Sequence, residues 1–149
     1  MVDIERQIHG SEKLISIYGR WPSFHDAYVH EALLSRGAAA QGAQRLLASL
    51  TAKIHLFEMT SEIDAQGYYV LRNHNIATLK FDDISELDLR DFNGANILFS
   101  LAIEVDRSDS MLFTVGISTS CGLYGGFQCK RIEVIDLRAC SPNGVETTP

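Results

Sequence analysis

Ile97-Leu98-Phe99-Ser100-Leu101-Ala102-Ile103-Glu104-Val105, followed after a polar stretch by Met111-Leu112-Phe113-Thr114-Val115-Gly116-Ile117, is the part of this chain that decides its fold. Ile97, Phe99, Leu101, Ile103 and Val105 recur at every second residue, and so do Met111, Phe113, Val115 and Ile117. A period of two places alternate side chains on one face of a strand. Two such runs joined by a short polar turn, Arg107 to Ser110, predict a β-hairpin with one apolar face.

The same pattern extends upstream. Leu50, Ala52, Ile54 and Leu56 alternate with Thr51, Lys53 and His55, which predicts a half-buried strand. Another is expected over Ile76 to Phe81, after a loop around Asp64-Ala65-Gln66-Gly67, and a short one carries Leu87 and Leu89. The first strand is placed at Tyr28 to Ser35, with Val29 and Leu33 on one face and Ala32 and Leu34 on the other. The stretch from Gly37 to Gly42 reads as a loop, and Ala43 to Ser49 is either a helical turn or the lead-in to a strand.

Downstream, Phe127 to Leu137 reads as one closing strand whose phase slips between Val134 and Ile135, which predicts a bulge. The tail from Ser141 to Pro149 offers little to dock and is expected to be loose. At the other end, Glu12 to Tyr18 predicts a short helix. Ser11 is placed to cap it with its hydroxyl, Gly19 to end it in the left-handed region, and the residues before Pro22 to stop it.

Strands at short spacing with no alternating long helices exclude a doubly wound parallel fold. The expected class is α+β, a mainly antiparallel sheet, curved or sandwiched, with the short N-terminal helix packed on it. The 149 residues suit one domain, with an ordered core over about 11–138.

Composition narrows the function classes. A hydrophobic content of 46% is that of a globular chain rather than a disordered one. A net charge of −6 argues against nucleic-acid binding, which needs a cationic footprint. No apolar run reaches the ~18 residues of a membrane span, and the N-terminus lacks a signal pattern. The three cysteines, Cys121, Cys129 and Cys140, lack both the even count of a disulfide framework and the C-x-x-C spacing of a zinc site. All three are expected as free thiols, and a reducing cytoplasm follows.

The familiar catalytic signatures are incomplete. Gly116-Ile117-Ser118-Thr119-Ser120 lacks the final glycine of a nucleophile elbow and follows a hairpin strand with no helix after it. Gly122, Gly125 and Gly126 have neither the spacing nor the helix of a phosphate cradle. His25 and Asp26 could serve a metal or acid–base site, with His55 or Glu58 as further candidates, but the sequence places no further ligand beside them. The competing expectation is structural: Trp21 and Phe24 are buried, and His25 or Asp26 caps backbone amides at the bend. His55 and Glu58, three apart on a strand, point oppositely unless a bulge intervenes.

Several of these stretches coincide with a known pattern. Trp21-Pro22-Ser23-Phe24-His25-Asp26-Ala27, then Ile54-His55-Leu56-Phe57-Glu58-Met59-Thr60, Asp91-Phe92-Asn93-Gly94-Ala95-Asn96 and Gly126-Phe127-Gln128-Cys129 resemble the immunity protein 50 family of bacterial polymorphic toxin systems. The similarity runs from about Leu14 to Leu137. It implies a non-enzymatic protein that binds and neutralises a cognate toxin, with no cofactor. Within it, Trp21, Pro22, Phe24, His25, Asp26, His55, Glu58, Asn93 and Asn96 are expected to serve structure. An accessory domain with an unrelated partner, or a small metal-dependent hydrolase using His25 and Asp26, are the alternatives.

The candidate partner surface comes from charge. Asp82, Asp83, Glu86, Asp88, Asp91, Glu104, Asp106 and Asp109 are opposed over that stretch by Arg90 and Arg107 alone. This run is either a set of solvated strand faces and turns or a negative patch that steers a basic partner.

Overall fold

A computed structural model describes residues 4–37, 47–106 and 112–147. A 3-10 turn, Ile4–Gln7, leads into helix α1, Glu12–Tyr18. Eight strands follow: β1 (Tyr28–Ser35), β2 (Ser49–Ile63), β3 (Tyr69–Asp82), β4 (Ser85–Arg90), β5 (Ile97–Val105), β6 (Phe113–Cys121), β7 (Tyr124–Cys129) and β8 (Arg131–Ala139). They form one open sheet in the order β4-β7-β6-β5-β1-β2-β3-β8, and every strand pair in it is antiparallel.

The sheet is folded on itself at β1. Between β1 and β5 the ladder is a single pair, Tyr28 opposite Ile97, supported by bonds from the Leu98 amide to the Ala27 carbonyl and from the Val29 amide to that of Asn96. Phe81 on β3 and Phe127 on β7 have four strands between them in the order, yet their rings meet edge to face at 5.0 Å. Leu79, Ile132 and Val134 from one half and Leu98, Phe113 and Val115 from the other belong to the same buried cluster.

Helix α1 and its neighbours carry one correction. Gly19 ends the helix at φ 79, and its amide donates to the Ile15 carbonyl. Ser11 does not cap with its side chain: it is itself in helical conformation, and its hydroxyl donates to the Glu5 carbonyl at 2.8 Å. The ordered part begins before residue 11. Ile8 is buried, and His9 pairs with Glu133 of β8 through bonds to Ile132 and Val134.

Bulges account for the side chains that the alternation misplaces. A register shift between Val29 and Glu31 brings Ala32, not Leu33, onto the inner face with Val29, so Leu33 is exposed. Shifts on either side of Leu98 turn that residue inward to 1% exposure and leave Phe99 out at 58%. The slip expected at Ile135 is present: Val134 faces Leu79 and Asp136 faces Thr78.

The closing strand is two strands. Lys130 interrupts it, and its amide donates to the Asp82 carbonyl. β7 then pairs with β6 and β4, while β8 crosses to pair with β3. Residues 141–147, expected to be loose, turn back on β8: Thr147 donates its amide to Ala139, and Ser141 donates its own to Val145. The Gly37–Gly42 loop beyond Gly37, most of Ala43 to Ser49, and the Arg107 to Ser110 turn lie outside the described residues.

Candidate functional site

Two short loops bind the folded halves together, and both carry residues singled out in the sequence. In the first, Trp21 to Ala27, the backbone takes positive φ at Phe24 (62°) and Asp26 (66°). The twist drives Phe24 into the core, while Trp21 lies edge-on to it at 5.6 Å and stays only partly buried. Ser23 accepts the His25 amide at 3.2 Å. The His25 ring reaches across to β5, where Nδ1 donates to the Phe99 carbonyl at 2.9 Å. That bond needs a proton on Nδ1, and Nε2 lies 3.6 Å from Asp26 Oδ2. Among the described residues neither the His25 nor the Asp26 side chain caps a backbone amide, the role expected of one of them; the His25 ring binds a carbonyl instead.

In the second loop, Asn96 is 3% exposed and in left-handed conformation, which asparagine tolerates better than most residues. Its Oδ1 accepts from the amides of Asn93 (2.9 Å) and Leu123 (3.0 Å), and its Nδ2 donates to the Val29 carbonyl at 3.2 Å. One side chain thus joins the β4–β5 loop, the β6–β7 turn and β1. Asn93 makes a local turn by accepting the Ala95 amide at 2.8 Å.

Beside these loops lies a group of rings that the sequence did not place together. His55 is 2% exposed and its Nε2 is 3.0 Å from His74 Nδ1. Tyr28, His30 and Phe57 surround it with ring centroids within 6 Å. Burial, with smaller contributions from His74 and His30, pushes the His55 pKa down to about 4, and burial also lowers that of His74. Both rings are therefore neutral at pH 7, so one can donate and the other accept. Gly144, at φ 79, closes over this group so tightly that a Cβ would strike the His30 ring.

Among the described residues, two open grooves adjoin these rings. The larger, about 690 Å³, is lined by Tyr28, His30, His55, Phe92 to Asn96, Pro142 and Asn143. The smaller, about 330 Å³, runs between the first loop and the base of the β2–β3 ribbon and is lined by Tyr18, Arg20, His25, Phe57, Glu58 and Met59. His25 and Glu58 therefore share a groove, while Asp26 and His55 are not among its lining residues. A register shift does intervene between Leu56 and Glu58, but Glu58 engages Asn73 Nδ2 at 2.7 Å and His55 engages His74. Among the described residues, no three His, Cys, Asp or Glu side chains are grouped to hold a metal ion.

The acidic residues do not form one uniform face. Asp82 lies between Lys80 and Arg131, each 3.5 Å away, and Asp88 pairs with Arg90 at 3.0 Å. Glu104, Thr114, Gln128 and Ser85 form one row across β5, β6, β7 and β4. That row puts Glu86 and Glu104 toward the same end of the half-sheet. Asp83 follows β3 near that end, and Asp106 follows β5, where its amide bonds Leu112. Asp91 lies past the opposite end of β4, next to the larger groove. Asp109 is outside the described residues.

Tyr18, Asn73, His74 and Asn75 are site residues that sequence reasoning missed. Tyr18 donates to the Asn73 carbonyl at 2.7 Å and accepts from Asn75, and burial pushes its pKa up to about 12. The polar run Asn73-His74-Asn75 entering an apolar strand was a visible signal. Its partners are set by the pairing of β3 with β2, which no local pattern reveals.

Fold and site together define a small antiparallel β protein whose open grooves are lined by aromatic, histidine and amide side chains. The family model for immunity protein 50 matches residues 10–139, and the chain belongs to that family. No curated protein and no solved structure matches it. Among the described residues no helix is long and apolar enough to cross a membrane.

Proposed function

We propose that this protein neutralises a cognate bacterial toxin by binding it, without chemistry of its own, in the cytoplasm of the cell that makes the toxin. Membership of the immunity protein 50 family across residues 10–139 carries the reading. The use of the motif side chains supports it. Phe24 fills the core, His25 bonds the Phe99 carbonyl, and Asn96 joins three chain segments. These residues build a frame on which a binding surface can be carried. Glu86 and Glu104, exposed toward one end of the β4–β5 half, add negative potential that speeds encounter with a cationic partner.

The test is co-expression with a candidate toxin drawn from the genes that flank this one, read as rescue of growth together with co-purification of the two proteins. Growth arrest that persists while this protein is abundant and folded would sink the proposal. His25→Ala separates binding from a hydrolase that uses His25 and Glu58. The binding protein keeps its rescue wherever the variant folds, whereas a hydrolase loses it.

A further inference from the structure

We infer that the free end of the β2–β3 ribbon is the surface this protein inserts into its toxin, and that it fits an apolar cleft with a cationic rim. The inference rests on the toxin-binding reading and adds the face and the partner's chemistry. β1 pairs with β2 only as far as His55, and β8 pairs with β3 only as far as Asn75. Beyond those points Glu58 to Ile63 and Tyr69 to Arg72 pair only with each other in the described ladders. The shorter arm, Tyr69 to Arg72, carries the ribbon about 13 Å past its neighbours.

The two faces of this ribbon differ. Met59 lies opposite Leu71 and Ile63 opposite Tyr69, across a register shift in β2; Leu71 and Tyr69 stand two apart on β3, so they and the side chains opposite them share one face. All four are exposed, at 52%, 37%, 63% and 56%. Tyr68 at the turn is exposed at 71%. A two-stranded ribbon is marginal in water, so an apolar face on its projecting end is a cost to the isolated protein that a partner would remove. Tyrosine and methionine are also enriched where protein interfaces are buried.

Charge selects the partner. From Phe57 to Asn73 there are three carboxylates, Glu58, Glu62 and Asp64, against Arg72 alone. Glu62 pairs with Arg72 at 3.1 Å, Glu58 accepts from Asn73, and Asp64 accepts the Gln66 and Tyr68 amides to hold the turn. The tip is thereby negative, and its turn is closed by hydrogen bonds. A second copy of the chain would bring like-charged tips together, whereas a toxin cleft rimmed by lysine or arginine meets opposite charge.

Full-length Met59→Ser/Tyr69→Ser and Glu58→Gln/Glu62→Gln test this against the purified, inactivated toxin that the wild-type protein neutralises on co-expression. The first variant should keep the wild-type melting curve and bind at least about 30-fold more weakly, as loss of a hot-spot side chain does. The second should associate more slowly and lose part of its salt dependence. Wild-type affinity in both folded variants would overturn the ribbon assignment and leave toxin binding intact. Failure of the wild-type protein to bind would overturn both. A wild-type dimer that Met59→Ser/Tyr69→Ser converts to monomer, with toxin affinity unchanged, would overturn it in favour of self-association.

Discussion

The Asn96 carboxamide donates to the Val29 carbonyl at 3.2 Å, closing a loop of 67 residues where the two halves of the sheet meet. The same side chain accepts two amides, so its removal would leave a carbonyl and two amides without this partner. An unmet buried polar group costs ~1–3 kcal/mol. Asn96→Ala should therefore destabilise by about 2–4 kcal/mol in urea unfolding. Asn93→Ala, which loses one exposed turn bond, should cost less than about 1 kcal/mol. Equal midpoints for the two variants would refute the bracing role of Asn96.

Phe24 and Trp21 are neighbours with unequal burial, and their substitutions should rank accordingly. Phe24 is 2% exposed, and Phe24→Ala should cost ~3–5 kcal/mol. Trp21→Ala removes a ring that is only partly buried and should produce a smaller fall in melting temperature. The opposite order would show that Trp21, not Phe24, carries the packing of this loop.

The pH dependence of stability should report on His55. Its pKa is near 4 in the folded protein and near 6.5 when unfolded, so the unfolded chain binds the proton more tightly. Stability is then lost as pH falls from about 6.5 to about 4, by a total on the order of 3 kcal/mol. Below that window this contribution levels off. His55→Gln, uncharged throughout, should flatten the slope between pH 6.5 and 5 in urea titrations. An unchanged slope would place the effect elsewhere.

Thiol labelling should be selective. Cys121 is exposed, whereas Cys129 and Cys140 are buried. Burial pushes the Cys129 pKa up to about 12 and raises that of Cys140, suppressing both thiolates at neutral pH. A maleimide at pH 7 should modify one fast site, lost in Cys121→Ser. Rapid modification of Cys129 in the native protein would contradict its packing.

What the sequence determined by itself was local and periodic. Glu12–Tyr18 is helical because Leu14, Ile15 and Tyr18 share a stripe and Gly19 can end it. β5 and β6 pair because two alternating runs stand a short turn apart. The Trp21 to Ala27 motif is visible as a pattern in the sequence alone. Tertiary structure decided everything that depends on partners distant in the chain. The ladder of β5 against β6 turns Leu98 in and Phe99 out, reversing a strict period of two. Lys130 splits one apparent strand because the Asp82 carbonyl takes its amide and β3 takes the residues after it. His55 met His74, and Asn96 met Val29, through pairings that cross 19 and 67 residues. Periodicity records which face of a strand prefers water; it does not record which strand will lie alongside, and hydrogen-bond register between distant strands is what placed these groups.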